Sequence, residues 1–131
     1  VRKNSLSSIY LSTYGVIKDS MKMSKSEREI YLSEPHVGIL SVPRIDRGPL
    51  SAPIWYDYNP GEQVIMFIDK LSMKNDCLRS AKRISLCVQK DDPPYVYVSV
   101  EGGFQIGEAD KQMHLQVAIR YLGEERGQAW M

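Results

Sequence analysis

The turn Asn59-Pro60-Gly61 joins two short runs of β-forming residues, and this connection limits the possible folds more than any other feature. The run before it, SAPIWYDY, spans 51–58, and the run after it, QVIMFID, spans 63–69. Proline presets one turn dihedral, and asparagine and glycine tolerate left-handed conformations, so the tripeptide favours a tight reversal. Two β-type runs joined by so short a reversal predict an antiparallel β-hairpin.

Three more β-type runs flank the hairpin. They are HVGILSV at 36–42, ISLCVQK at 84–90 and YVYVSVEGGFQI at 95–106. In the last run Val96, Val98 and Val100 alternate with Tyr and Ser residues, so the valines are expected to share one face of a strand. The pair Gly102-Gly103 predicts a bend or bulge within that strand.

Helical patterns occur before, between and after these runs. Ser24 and Glu27 have the spacing of a capping box, and Pro35 marks the end of the helix that they begin. In the stretch 70–83, Leu78 and Ala81 give a helical rather than a strand pattern. A last helix is predicted over 110–122, with the following glycine as its C-cap. Its apolar stripe consists of Leu115, Ala118, Ile119 and Leu122.

Five strands with a helix inserted after the third indicate a mainly β protein. The strands are too numerous for a helical bundle, and their connections are too short for the crossover helices of a doubly wound sheet. We therefore predict a small β-barrel with flanking helices over 23–131. Residues 1–22 show no clean period and are interpreted as an N-terminal arm or a marginal helix.

Length and charge exclude several classes of protein. The 131 residues suit one domain with one core. With 17 basic and 16 acidic side chains the net charge is +1, which argues against a general nucleic-acid or acidic-membrane binder. No apolar run approaches the length of a bilayer span, and the first residues lack a secretion signal.

The cysteines indicate a protein from a reducing compartment, and the histidines give no indication of a metal site. Cys77 and Cys87 lack CxxC spacing and form no disulfide framework, so free thiols in the cytoplasm are expected. His36 and His114 are far apart in sequence and belong to no metal-binding motif. His36 is expected to cap or pack against a neighbouring element.

The usual catalytic signatures are absent from the sequence. There is no GxSxG, no Walker A loop and no GxGxxG after a strand. The acidic pair Asp91-Asp92 precedes two prolines and is interpreted as a solvated turn. The alternating aromatic residues Trp55, Tyr56 and Tyr58 favour core and interface packing over ligand stacking.

The basic stretch KLSMKNDCLRSAKR at 70–83 is the strongest candidate for a binding site. If Ser72 is a helix N-cap, the free N–H groups of the first turn lie beside its hydroxyl and carry partial positive charge. Lys74 in that turn opposes the helix dipole, and a bound anion would account for its position. Lys70 is a further candidate ligand, and Arg79 is ambiguous. The alternative is a solvated charged helix.

Five segments of the chain, in this order and spacing, resemble the pyridoxamine 5′-phosphate oxidase-like flavoproteins. The segments are EPHVGILSV, GPLSAPIWYDY, MFIDKLSMKNDCLRSAKRISLCVQ, PPYVYVSVEG and RYLGEERGQAWM. The likeness is greatest to the branch that includes reductases using the deazaflavin coenzyme F-420, and it covers about 24–131. Relatives usually continue into one more strand after that point, so the last strand of the barrel is expected to be missing.

The resemblance implies a split β-barrel of the FMN-binding type. It also implies a homodimer with FMN or F-420 in a groove at the interface. The activity implied is an oxidoreductase that moves hydride between the cofactor and a small organic substrate. A carrier that binds flavin, deazaflavin or haem without catalysis is the alternative. A small-barrel nucleic-acid module ranks last, because strand 95–100 has tyrosines but no Lys or Arg.

The resemblance also assigns cofactor-binding roles to particular residues. Ser72 and Lys74 match the phosphate ligands, while Met73 replaces the usual arginine and leaves Lys70 or Arg79 as substitutes. The ring system would lie along the second strand, and the ribityl chain beside the end of the third. The residues assigned to these two parts are Ser51, Pro53, Ile54 and Trp55 for the ring, and Ile68 and Asp69 for the chain.

The second strand departs from the namesake oxidase. That enzyme holds the phosphate of its substrate partly with basic residues on this strand, where the present chain has Ala52, Tyr56 and Asp57. Pyridoxamine phosphate is therefore not expected to be the substrate.

Overall fold

The computed structural model describes residues 6–11, 17–19, 23–93 and 96–130. The rest of the N-terminal arm, Pro94, the first residue of the last β-type run (Tyr95) and Met131 lie outside these ranges. The described strands are β1 Leu6–Leu11, β2 Ile17–Asp19, β3 Gly38–Arg44, β4 Arg47–Asp57, β5 Val64–Asp69, β6 Ile84–Gln89, β7 Tyr97–Gly102 and β8 Phe104–Glu108. The helices are α1 Lys25–Ser33, α2 Met73–Leu78, α3 Lys111–Leu122 and α4 Glu124–Trp130.

The strands form one antiparallel sheet in the order β2-β7-β6-β3-β4-β5-β1-β8. β7 lies near one end of this order and β8 is the last strand at the other end. In the chain these two strands are separated only by Gly103, at the bend that the glycine pair predicts. One nearly continuous strand therefore connects both ends of the sheet, and the sheet closes almost completely into a barrel. The predicted mainly β barrel is confirmed.

β4 belongs to both halves of the barrel. It pairs with β3 as far as Ile54, opposite Gly38, and from Trp55 onward it pairs with β5. The predicted hairpin between β4 and β5 is confirmed, and Gly61 takes the positive φ of 84° that its turn requires. β4 begins four residues before the predicted 51, because it also forms a hairpin with β3.

The core consists of alternate residues on the inward faces of the strands. The fully buried aliphatic side chains there include Ile9, Leu11, Val42, Val64, Met66, Leu86, Val88, Val98 and Val100. The prediction that Val98 and Val100 share an inner face is confirmed, and Val96 packs against the same cluster while partly exposed. Tyr56 and Tyr58 are buried as well, as their predicted role in packing requires.

The alternative prediction of a marginal helix in the N-terminal arm is wrong for residues 6–11. This segment is β1, which lies between β5 and β8 in the sheet. Ile9 and Leu11 point inward and are buried, whereas Tyr10 between them is partly exposed. The hydrogen bonds of β1 connect it to strands far along the chain, so its local sequence carries only a weak signal of its conformation.

The predicted helix ends are confirmed for α1 and α3. Ser24 and Glu27 form the capping box, with both hydrogen bonds at 3.1 Å. Gly123 ends α3 with a φ of 86°. The predicted apolar stripe of α3 is only partly correct, since His114, Val117 and Ala118 are its buried residues.

The helix α4, which the sequence pattern does not predict, packs against α3. Gly127 of α4 lies directly on Ile119.

Among the described residues, no helix is both long and apolar enough to cross a membrane.

Candidate functional site

A cavity of about 590 Å³ opens between β4, β5 and the two C-terminal helices. Six of the residues predicted to bind a cofactor line it. They are Pro53, Ile54, Trp55, Ile68, Asp69 and Lys74. Four other residues complete its wall, namely Val37, Phe67, Val117 and Trp130. We call this space the tryptophan cavity, because both tryptophans of the chain line it.

Aromatic rings form one wall of the tryptophan cavity. The indole of Trp55 stacks on the ring of Tyr121, with centroids 4.9 Å apart and planes within 7°. Trp130 lies at a centroid distance of 6.1 Å from Trp55 and is tilted by 48°. Tyr121 thus covers one face of the Trp55 ring and holds its plane in place. A planar apolar group is the kind of ligand that such a wall fits best.

The hydroxyl of Tyr121 fixes the backbone behind this wall. It accepts the N–H of Tyr56 at 3.1 Å, and it lies 2.6 Å from the carbonyl oxygen of His36 and 3.1 Å from that of Tyr56. Burial is the main cause that raises the pKa of this hydroxyl, so it keeps its proton at neutral pH and can donate to either carbonyl. These contacts lie just beyond Ile54, where β4 no longer pairs with β3. The hydroxyl of Tyr121 thus bonds the backbone of Tyr56 after the pairing with β3 has ended.

Replacing Tyr121 with phenylalanine is expected to lower the free energy of unfolding by about 1.5 kcal/mol. The ring can still stack on Trp55, but the amide of Tyr56 loses its acceptor and the carbonyl of His36 its donor. Urea unfolding measures the change. The matched control is Tyr97→Phe, because Tyr97 is partly exposed on β7. Equal stability of the two variants would contradict the bridging role of Tyr121.

Four of the predicted cofactor ligands lie outside the cavity lining. Ser51 is exposed on β4, and its Oγ lies 3.4 Å from Oγ of Ser41. Lys70 forms an ion pair with Glu108 on β8. The partner of Lys70 therefore comes from a strand 38 positions away, a pairing that the local sequence does not indicate.

Ser72 and Arg79 lie at the two ends of α2. Ser72 is the N-cap as predicted, since its Oγ accepts the N–H of Asn75 at 3.3 Å. Arg79 is the C-cap, and its side chain is exposed. The oxygen of Ser72 is thus engaged in the helix cap, and α2 has only six residues.

Lys74 and Asp69 are the charged side chains in the lining of the tryptophan cavity. Lys74 has neither a hydrogen bond nor an ion pair within the ranges that the structure describes. Asp69 accepts the N–H of Leu71 at 2.9 Å and so holds the turn before α2. Lys74 is therefore the positive charge that remains available to an anionic ligand, while Asp69 is partly engaged by its own backbone.

Tyr121 and Trp130 are the site residues that sequence reasoning missed. Both come from the C-terminal helices, which are remote in the chain from β4 and β5. One signal was present, since the chain has only two tryptophans and the second lies in an otherwise polar segment. The described residues contain no group of three or more His, Cys, Asp or Glu placed to hold a metal ion.

Comparisons of the chain with protein-family models, with curated proteins and with solved structures found no match.

Proposed function

We propose that this protein is an oxidoreductase that binds FMN or the deazaflavin F-420 in the tryptophan cavity. One observation carries the proposal. Residues assigned to cofactor binding from separate segments, on β4, at the end of β5 and on α2, line a single cavity. This convergence is what a cofactor site requires, and it does not follow from the secondary structure alone.

The residues of the cavity fit a flavin-like group. Its volume of about 590 Å³ is within the usual range for cofactor sites. Apolar walls suit the ring system, and Lys74 offers an ammonium group to a phosphate. The described lining contains no His, Cys, Met or Tyr to serve as an axial ligand, which favours flavin or deazaflavin over haem.

A bound flavin or deazaflavin would supply hydride transfer to or from a small organic substrate. The protein would then bind and orient the ring through Ile54, Trp55 and their neighbours, and exclude water with Trp130. No described side chain of the lining is assigned an acid–base role, because Asp69 is engaged in its turn.

The homodimer is part of the same proposal. Val37 and Ile39 are 53% and 40% exposed, and Ile39 pairs with Pro53 beside the tryptophan cavity. A second copy that covered these apolar side chains would also enclose the cavity and complete a groove.

A cytoplasmic location is also proposed, because Cys77 and Cys87 are free thiols, as expected in a reducing compartment.

A non-catalytic flavin or deazaflavin carrier is the second candidate. The observation that favours it is the shortage of acid–base groups in the described lining, where Asp69 and Lys74 are the ionisable side chains. Turnover of a reduced cofactor with candidate substrates distinguishes the two functions. A cofactor that binds but is never oxidised or reduced would favour the carrier.

The tryptophans provide a direct test of cofactor binding. Because Trp55 and Trp130 both line the cavity, FMN or F-420 bound there is expected to quench most of the tryptophan emission of the protein. Titration of the purified protein with each cofactor, followed by emission and by the cofactor's absorption spectrum, measures affinity and preference. The absence of saturable quenching with both cofactors would refute the proposal.

Lys74→Ala is expected to weaken binding of the phosphorylated cofactor about tenfold, because one charge-assisted contact is lost. Lys82→Ala is the matched control, since it removes the same charge from an exposed residue that does not line the cavity. Riboflavin, which lacks the phosphate, is expected to bind both variants equally. If the two variants bind FMN equally well, Lys74 is not a phosphate ligand.

A further inference from the structure

A second cavity, of about 540 Å³, lies beside the C-terminal end of α1 and the turn after β6. We call it the acidic cavity. Its polar lining includes Tyr31, Glu34, His36, Lys90, Asp91 and Asp92. It shares no lining residue with the tryptophan cavity.

Tyr31 lines the acidic cavity, and its buried hydroxyl is an unsatisfied polar group. The residue is only 9% exposed, and its hydroxyl has no hydrogen-bond partner among the described residues. A buried hydroxyl without a partner is costly, and native proteins rarely leave one. Its ring stacks on that of His36, with centroids 4.4 Å apart and planes within 22°. The position of Tyr31 is therefore fixed by packing, while its hydroxyl lacks a partner.

The charges around Tyr31 are mostly negative. Three carboxylates line the cavity, from Glu34, Asp91 and Asp92, against the single ammonium of Lys90. Burial and then the nearby carboxylates, Glu34 first among them, raise the pKa of the Tyr31 hydroxyl, which therefore stays neutral at physiological pH. A neutral hydroxyl can both donate and accept, and the carboxylates around it favour a ligand that brings N–H donors and positive charge.

The spread of the carboxylates distinguishes between kinds of cation. The described residues hold no cluster that converges closely enough for a metal ion. Two ammonium groups joined by a short alkyl chain match separated carboxylates better, and the apolar side chains of Pro35 and Val96 in the lining suit the chain. We propose that the acidic cavity binds a small aliphatic diamine, with its ammonium groups at the carboxylates and one N–H donated to Tyr31.

Calorimetric titration with 1,4-diaminobutane at low ionic strength tests the charge requirement. Saturable binding of one diamine per chain is expected, and the double variant Asp91→Asn, Asp92→Asn is expected to weaken it at least tenfold. The matched control is Glu124→Gln, Glu125→Gln, which removes two adjacent exposed carboxylates on α4. Absence of saturable binding, or an equal loss in the control, would overturn the proposal, as would equal binding of Mg²⁺.

Tyr31→Phe separates a binding role from a structural one. Removal of an unpaired buried hydroxyl is expected to leave the unfolding midpoint unchanged or raise it, because no hydrogen bond is lost. The same variant is expected to bind 1,4-diaminobutane several-fold more weakly. Unchanged affinity in a stably folded Tyr31→Phe would remove the hydroxyl from the site and overturn the assignment.

Discussion

Replacing Arg120 with methionine is expected to lower the free energy of unfolding by about 3 kcal/mol, the largest effect predicted for any exchange of a polar side chain. The side chain is only 13% exposed and lies between α3 and the end of α1. Its guanidinium donates to the carbonyl oxygens of Ser33 and Glu34, each at 2.8 Å. Methionine keeps the length of the side chain but leaves the carbonyl of Ser33 without this donor, and that of Glu34 with only the hydroxyl of Tyr56 at 3.3 Å.

Two further contacts add to the effect. The guanidinium lies 3.7 Å from the carboxylate of Asp57 and 5.0 Å from the ring centre of Tyr56. Arg126→Met is the matched control, because Arg126 is exposed on α4 and has neither a hydrogen bond nor an ion pair within the described ranges. Urea unfolding of both variants compares them. A loss below about 1 kcal/mol in Arg120→Met would show that the carbonyls are satisfied by water.

Replacing Gly127 with alanine is expected to cost about 2 kcal/mol and to displace α4 from α3. An added Cβ would lie 2.7 Å from the backbone N and Cα of Ile119, which is too close for real atoms. Backbone cannot yield as a flexible side chain does, so the helix itself must shift. Because Trp130 is on α4, its indole is expected to leave the tryptophan cavity, with a red shift of tryptophan emission and weaker cofactor binding.

Gly48→Ala provides the control for the effect of alanine itself. A Cβ at Gly48 meets no atom within 4 Å, so this exchange on β4 is expected to change stability by less than about 0.5 kcal/mol. Thermal unfolding and the emission spectrum of both variants suffice for the comparison. If Gly127→Ala has the stability and emission of the unaltered protein, α4 does not depend on close contact with α3.

The elements predicted correctly from the sequence are those that local chemistry determines. The capping box at Ser24, the cap at Ser72 and the turn before Gly61 involve residues within four positions of each other, so their signals are contained in short windows. β1 could not be predicted in this way, because its stability comes from pairing with β5 and β8. The buried face of α3 was misjudged for a similar reason, since it depends on how the helix packs against β4 and α4.

The candidate site was predictable where it depends on one segment. Trp55 on β4 was assigned from the family resemblance, Lys74 on α2 from the helix start and the resemblance together, and the structure places both at one cavity. The pairing of Lys70 with Glu108 and the stacking of Tyr121 on Trp55 depend on contacts between distant segments. The first follows from the strand order β5-β1-β8 and the second from the packing of α3 on β4, and no local pattern encodes either.

The connection from α1 to β3 joins the two cavities. His36 lines the acidic cavity and Val37, the next residue, lines the tryptophan cavity. The carbonyl of His36 also accepts from Tyr121, whose ring supports Trp55. A ligand that bound in one cavity and displaced this connection would alter the shape of the other cavity. Any such effect must be reciprocal, so each ligand would change the affinity for the other by the same factor.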